Sequence, residues 1–495
     1  MNNLTSSIPQ DVGVLTSLNV IALNTNNLTG HIPVSLCNLT NLDRLFLQGN
    51  QLTGPIPQDI GNLRSLSLLG LSLNNLSGSI PASLTNLTSL ELFNVGVNQL
   101  SGTLKSLTSI YLSKNKLTAL IPTSVGNLTI LTDLLVDDNQ LSGSLPTELS
   151  NLTQMIILSL DGNSLSGSIP TSIGSCNKLT YINLGNNNLS GNIPNELERV
   201  GLLEYLQLSD NNLSGTLSSS IAKLQHLKVL NLANINFGGS IPAELGSLPN
   251  LQILSLRSNN FTGSIPEEIL YLYQLRILDL SQNNLTGQIS RKVGNLKNLT
   301  SRPSGTFMIN YGNGADVQLK LVVKGINFEV QISSSYTSAI DLSCNNLDGN
   351  IPEEFGLLKG LYMLNLSHNH FSDSIPANVG DMSSLEALDL SWNRLNGNIP
   401  HSLTSIDSLG FLNLSYNNLS GKIPVGIHFE TLSWDGSAFL DNNLLCGPPT
   451  NKVCQGEHRI LTLDMTFRQM IKKKRMRDSY FMVSLLWALE LDSGV

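Results

Sequence analysis

Four carboxylates fall close together in this chain: Asp133, Asp137 and Asp138, followed by Asp161, which comes 24 residues after Asp137. If 24 residues make one turn of a coil, Asp137 and Asp161 stand on neighbouring strands about 4.8 Å apart. Two carboxyls about 5 Å apart can hydrolyse a glycoside with retention. Acid–base work, however, requires their pKa values to be pushed apart by desolvation, which an open sheet does not provide. Two readings stay open, an acidic patch on a solvated face and a seat for a basic ligand or cation. Tyr181 and Tyr205 repeat the 24-residue spacing, with Tyr111 ahead of them. Exposed rings would offer a partner amphipathic area at low entropic cost, whereas rings packed on each other would only brace adjacent strands. In His368-Asn369-His370 the two imidazoles flank a residue that turns inward, so no zinc site is expected. No catalytic residue, metal or cofactor is expected anywhere, and Cys37, Cys176 and Cys344 read as single thiols.

The elements that position these residues follow from composition and period. Of 495 residues only 13% are charged and 5% aromatic, while 41% are hydrophobic, which is too apolar for a disordered chain. The net charge of −8 argues against a nucleic-acid partner. The pattern L-x-x-L-x-L-x-x-N-x-L-x-G-x-I-P repeats about 17 times, with its Asn at 26, 50, 74 and 98 and, after one short step, at 115, 139, 163, 187 and 211. A step of 62 residues separates Asn283 from Asn345.

In each unit the Leu pair, such as Leu45 and Leu47, faces inward from a short strand while its neighbours face outward. The Asn turns in to satisfy backbone groups. Gly54 permits a tight turn, and Ile56-Pro57 opens an extended stretch on the flank. One unit cannot bury its Leu face alone, so units stack into an α/β repeat solenoid with a concave parallel sheet and few regular helices. Its outward columns carry Arg44, Asp133, Tyr181 and Tyr205 in one row, Phe46, Tyr111 and Gln207 in the next, and Asp137, Asp161 and Arg257 in the third.

The recurring G-x-I-P, in Gly30-His-Ile-Pro33, Gly78-Ser-Ile-Pro81 and Gly397-Asn-Ile-Pro400, resembles the plant-specific class of leucine-rich repeat. The resemblance covers residues 1 to about 455. An interruption with Val322-Val-Lys-Gly325, then four regular repeats and Leu445-Cys-Gly-Pro-Pro449, is similar to plant receptor-like proteins with their island and carboxy-terminal cap. It implies a disulfide between Cys446 and Cys454. The expected organisation is repeats over 1–300, an island over 301–336 folded back on the solenoid, four repeats over 337–432 and a cap over 433–455. A basic and apolar tail, read as disordered, fills 456–495. Members of this family begin with a signal peptide and an amino-terminal cap and continue into a membrane helix. This chain starts inside a repeat and shows no run of about 18 apolar residues, so it reads as a fragment or as a gene model with false ends.

The resemblance implies the ligand-recognition ectodomain of a plant cell-surface receptor-like protein or receptor kinase, on the outer side of the plasma membrane. It would bind a peptide, glycan or microbial protein on its concave face and signal through a partner receptor kinase. A soluble inhibitor similar to the polygalacturonase inhibitors is the alternative, against which length and the island argue; a non-functional gene fragment is another. The expected ligand face holds Arg44, Phe46, Tyr111, Asp133, Asp137, Asp138, Asp161, Tyr181, Tyr205, Gln207 and Arg257. Sequons at Asn38, Asn86, Asn127, Asn151 and Asn298 are the expected glycan sites.

Overall fold

The computed structural model describes residues 3–87, 89–102, 110–302, 318–323, 326–331, 338–426, 432, 435–450 and 452–455. The described repeats share one local logic. In Arg44–Phe46 the middle residue, Leu45, is fully buried and so is Leu47 beyond it, because alternate residues of a strand face opposite ways. Sixteen such strands, from Val20–Ala22 to Phe411–Asn413, line up in parallel, each beside the strand of the next repeat. The chain then turns at Asn50, whose amide nitrogen donates to the carbonyls of Leu23 (2.9 Å) and Leu47 (3.0 Å) while its oxygen accepts from the Leu28 N–H (3.0 Å). Asn74, Asn139, Asn211, Asn283 and Asn369 repeat this geometry, so backbone groups left over at those turns are paired inside the coil stack.

Two features of the flank differ from the sequence expectation. The Asn-Leu-Ser/Thr-Gly segments are not only turns. As in Asn75–Ser79 and Asn212–Thr216, they form a second parallel sheet of twelve strands, with Gly78 at φ +81°, where a side chain would be strained. Nor does Ile-Pro open an extended stretch. Pro57 (φ −55°, ψ 135°) is the last extended residue before a 3₁₀ helix, Gln58–Asn62, since a fixed φ and a missing N–H suit a helix start. These 3₁₀ turns stack along the convex side, where a Cβ on Gly61 would come within 2.1 Å of the Ser83 carbonyl.

The irregular steps leave the concave sheet unbroken. Ile110 pairs with Phe93 and Tyr111 with Asn94 across the short step, whose residues 103–109 lie outside the described residues. Across the long step, Ile277–Asp279 pairs directly with Ala339–Asp341. Of the island, Gln318–Val323 and Ile326–Gln331 pair as antiparallel strands. Whether residues 303–317 and 332–337 fold back lies outside the described residues, but the stem does touch later repeats. Leu299 accepts from the Gly360 N–H (2.8 Å), and Arg302 Nε donates to Ser384 Oγ (3.2 Å). At the far end Leu444–Cys446 adds a strand to Asn418–Lys422 and the Cys446–Cys454 disulfide is present, with Leu445 closing the core at 1% exposure. The expected tail, 456–495, lies outside the described residues. One continuous apolar core runs from Ile8 to Leu445.

The concave face and the candidate ligand site

The outward columns stand in the register expected: Asp133, Ile157, Tyr181, Tyr205, Val229 and Ile253 are successive partners, as are Leu135, Ser159, Asn183, Gln207 and Asn231. Their exposure is not what that register suggested. Side chains pointing out of a parallel sheet only about 4.8 Å per strand apart cover one another. Tyr111, Leu135, Ile157, Tyr181, Tyr205, Val229 and Ile253 therefore join a second hydrophobic cluster that continues to Ala387. The Tyr181 and Tyr205 rings stack at 4.3 Å and 2° and are 2% and 1% exposed, so they brace the strands and do not stand out as anchors. Burial raises the Tyr181 phenol well above its ordinary pKa. Gln207 is likewise spent internally, accepting from the Tyr205 hydroxyl (3.1 Å) and from Asn231 Nδ2 (2.9 Å) and donating to Ser209 Oγ (3.2 Å).

The acids are brought together, but unequally. Asp137 accepts from the hydroxyls of Ser113 (3.0 Å) and Ser159 and from the Asp161 N–H (3.0 Å), which ties three strands together. Burial lifts its carboxyl to about 6 against the pull of those donors, with the Asp161 charge adding to the rise. Asp161 is half-buried and accepts from Asn186 Nδ2 (2.9 Å). Asp133, also half-buried, accepts from the Thr132 hydroxyl (2.8 Å). Asp138 is exposed on the rim, at φ +51°. Arg44 is exposed and paired with Asp43 at 3.1 Å, and Phe46 is half-buried beside it; both lie far along the sheet from the acids. Arg257, half-buried, stands nearer the island, where its charge acts on Asp279 and Asp341.

Two features escaped the reading of the sequence. One is the burial of Asp279 and Asp341, each 1% exposed. The other is a stack of exposed rings on the last repeats, with His368 and Trp392 5.3 Å apart and Trp392 and Tyr416 3.9 Å apart. Its signal was in the sequence, since His, Trp and Tyr directly precede the ladder Asn in three successive repeats. Among the described residues no group of three or more His, Cys, Asp or Glu could hold a metal ion. Of the expected glycan sites, Asn38, Asn86, Asn127 and Asn151 are exposed at the ends of convex 3₁₀ turns. Asn298 is half-buried and its amide donates to the Gln274 carbonyl (3.1 Å). Among the described residues no helix is long and apolar enough to cross a membrane.

Comparison with known proteins agrees with this architecture. The Leucine Rich Repeat family model matches residues 41–63, 106–128, 154–176, 178–200, 202–224, 226–248, 250–272, 274–296, 338–358, 360–382, 384–406 and 408–429, more than half of the chain. No curated protein matches. Among solved structures, the ectodomain of the Arabidopsis thaliana membrane receptor kinase GASSHO1/SCHENGEN3, in complex with CASPARIAN STRIP INTEGRITY FACTOR 2, is 34% identical, with a TM-score of 0.75 over 92% of this chain and 53% of that one. The Arabidopsis receptor kinase HAESA, in complex with the peptide hormone IDA and the co-receptor SERK1, is 31% identical over 92% of this chain and 78% of that one, with a TM-score of 0.71. A TDR receptor is 30% identical over 84% and 68%, with a TM-score of 0.74. The chain spans about half the length of the GASSHO1 ectodomain. With its repeat consensus, its unbroken concave sheet and these likenesses, the chain belongs to the leucine-rich repeat family, among the plant receptor ectodomains.

Proposed function

We propose that this chain is the ligand-recognition part of a plant cell-surface receptor, that it binds an extended peptide across the central concave strands, and that a partner receptor kinase carries the signal. The observation that carries the reading is the likeness to HAESA, a receptor solved with a peptide hormone and a co-receptor, over 92% of this chain. A ten-residue extended peptide is about 33 Å long and could touch about seven strands. Asp133, Asp138 and Asp161 are accessible enough to meet Lys or Arg side chains of such a ligand, with Arg257 for a counterpart of opposite charge. Tyr111, Tyr181, Tyr205 and Gln207 then form the floor that fixes the strands, and Asp137 positions Asp161 through its backbone N–H.

The test is an array of ten-residue synthetic peptides, with and without Lys and Arg, probed with the purified full chain. Basic peptides should bind, more weakly as salt rises. Asp138→Ala with Asp161→Ala should weaken them about tenfold or more, the scale of one lost charge-assisted contact. Binding unchanged in that double variant overturns the central-face assignment, and an array with no bound peptide overturns the peptide reading.

A further inference from the structure

A row of short polar side chains runs along the concave face of the last strands. Ser255, Asp279, Asp341, Asn365, Asp389 and Asn413 are successive register partners. From Asp279 on, each uses one oxygen within its own strand. Asp279 Oδ1 accepts from the N–H (3.1 Å) and hydroxyl (2.6 Å) of Ser281, and Asp341 does the same with Ser343 (3.0 and 2.6 Å). The second group is then available to the adjacent strand, and there acid and amide alternate. Asn365 Nδ2 donates to Asp341 Oδ2, and Asn413 Nδ2 donates to Asp389 Oδ2, both at 3.3 Å.

The alternation fails once, where Asp279 meets Asp341. This is the seam at which the island interrupts the period, so these strands belong to repeats 62 residues apart. Both residues are 1% exposed, and Asp279 Oδ2 is buried without a hydrogen-bond partner. Two ionised carboxylates on adjacent strands, almost without solvent, would repel strongly. The missing piece is one hydrogen of the kind that Asn365 supplies to Asp341 on its other side.

We propose that Asp279 and Asp341 hold one proton between them, as an acid pair that closes the seam between the repeats flanking the island, and that losing this proton loosens the seam. The charged surroundings agree. Burial lifts the Asp341 carboxyl to about 7, with the Asp279 charge pushing the same way, and burial raises Asp279 too. Arg257 pulls both down. Arg276, directly before the strand Ile277–Asp279, is itself lowered by burial. The neighbouring Cys344 thiol is raised by burial and by the charges of Asp341 and Asp389. Because the folded value lies above the ordinary carboxyl value near 3.9, the native state binds the extra proton. The stabilisation is full below about pH 4 and is lost as pH rises through about 7.

Hydrogen exchange of the full chain, read on segments 274–283 and 338–347 and corrected for the intrinsic pH dependence of exchange, tests this. The parent seam should open about tenfold more often at pH 8 than at pH 6, because the closed seam keeps its extra proton at the lower pH and has lost it at the higher. Asp279→Asn, whose amide can donate to Asp341 Oδ2, should stay protected at both pH values. Asp341→Asn, with its amide toward Asp279, replaces it should the first variant not fold. A parent seam with no pH dependence, a variant that keeps the parental dependence, or a variant whose seam is open at both pH values overturns the proposal.

Discussion

At Asn211 one side chain serves four backbone groups: its amide donates to the carbonyls of Leu184, Leu208 and Ser209, and its oxygen accepts from the Leu189 N–H. Removing it leaves buried acceptors and a donor unpaired, so Asn211→Ala should cost about 2–4 kcal/mol in urea unfolding. The adjacent Asn212 is exposed, and its change to Ala should stay within about 0.5 kcal/mol. An equal loss for the two would show that the ladder's hydrogen bonds contribute little. The same scale explains why the central tyrosines are not handles. A strand supplies the direction of a side chain, and its neighbours on either strand decide whether that side chain meets water.

At the scale of the element, the convex turn is held by what it lacks. Gly61 has an ordinary φ, yet its missing Cβ lets the next coil approach to where Ser83's carbonyl sits. Gly61→Ala therefore meets backbone and not a flexible side chain, and should destabilise by about 1–3 kcal/mol despite Ala's better local propensity. Denaturant unfolding checks this, and a neutral or stabilising result would mean that adjacent turns slide apart freely. The Pro that precedes each turn acts in the opposite way, fixing the entry angle before the 3₁₀ helix begins.

For the whole molecule, stability is a sum of repeats and the interfaces between neighbours, so a change at one end should be felt there first. The Cys446–Cys454 bridge holds the strand Leu444–Cys446 over the last layer, where Leu445 is buried. Cys446→Ser should lose about 2 kcal/mol of local stability. Hydrogen exchange should rise in the segment 418–446 and remain unchanged over 181–231. Loosening that spreads to the central repeats would show that the solenoid unfolds as one unit. The variants at Asp138 and Asp161 and those at Asp279 and Asp341 change different residues and are read by different measurements, peptide binding and hydrogen exchange, so either proposal can fail without the other.

The repeating coil was legible in the residues alone. A 24-residue period with Leu at the strand positions and Asn at the turn leaves few other ways to bury the Leu face and pair the backbone, and the columns of the concave sheet follow from that period alone. The cap disulfide and the family were also legible, through Leu445-Cys446-Gly-Pro-Pro449 and the recurring G-x-I-P. Exposure was decided only in three dimensions. Tyr181 and Tyr205 close on each other because parallel strands bring identical positions within van der Waals reach, and Asp137 is absorbed by Ser113 and Ser159 on the strands beside it. Asp279 and Asp341 share a column by the period alone, since it returns at Ile340-Asp341-Leu342, but only the closed sheet buries both carboxyls and leaves one Asp279 oxygen without a partner.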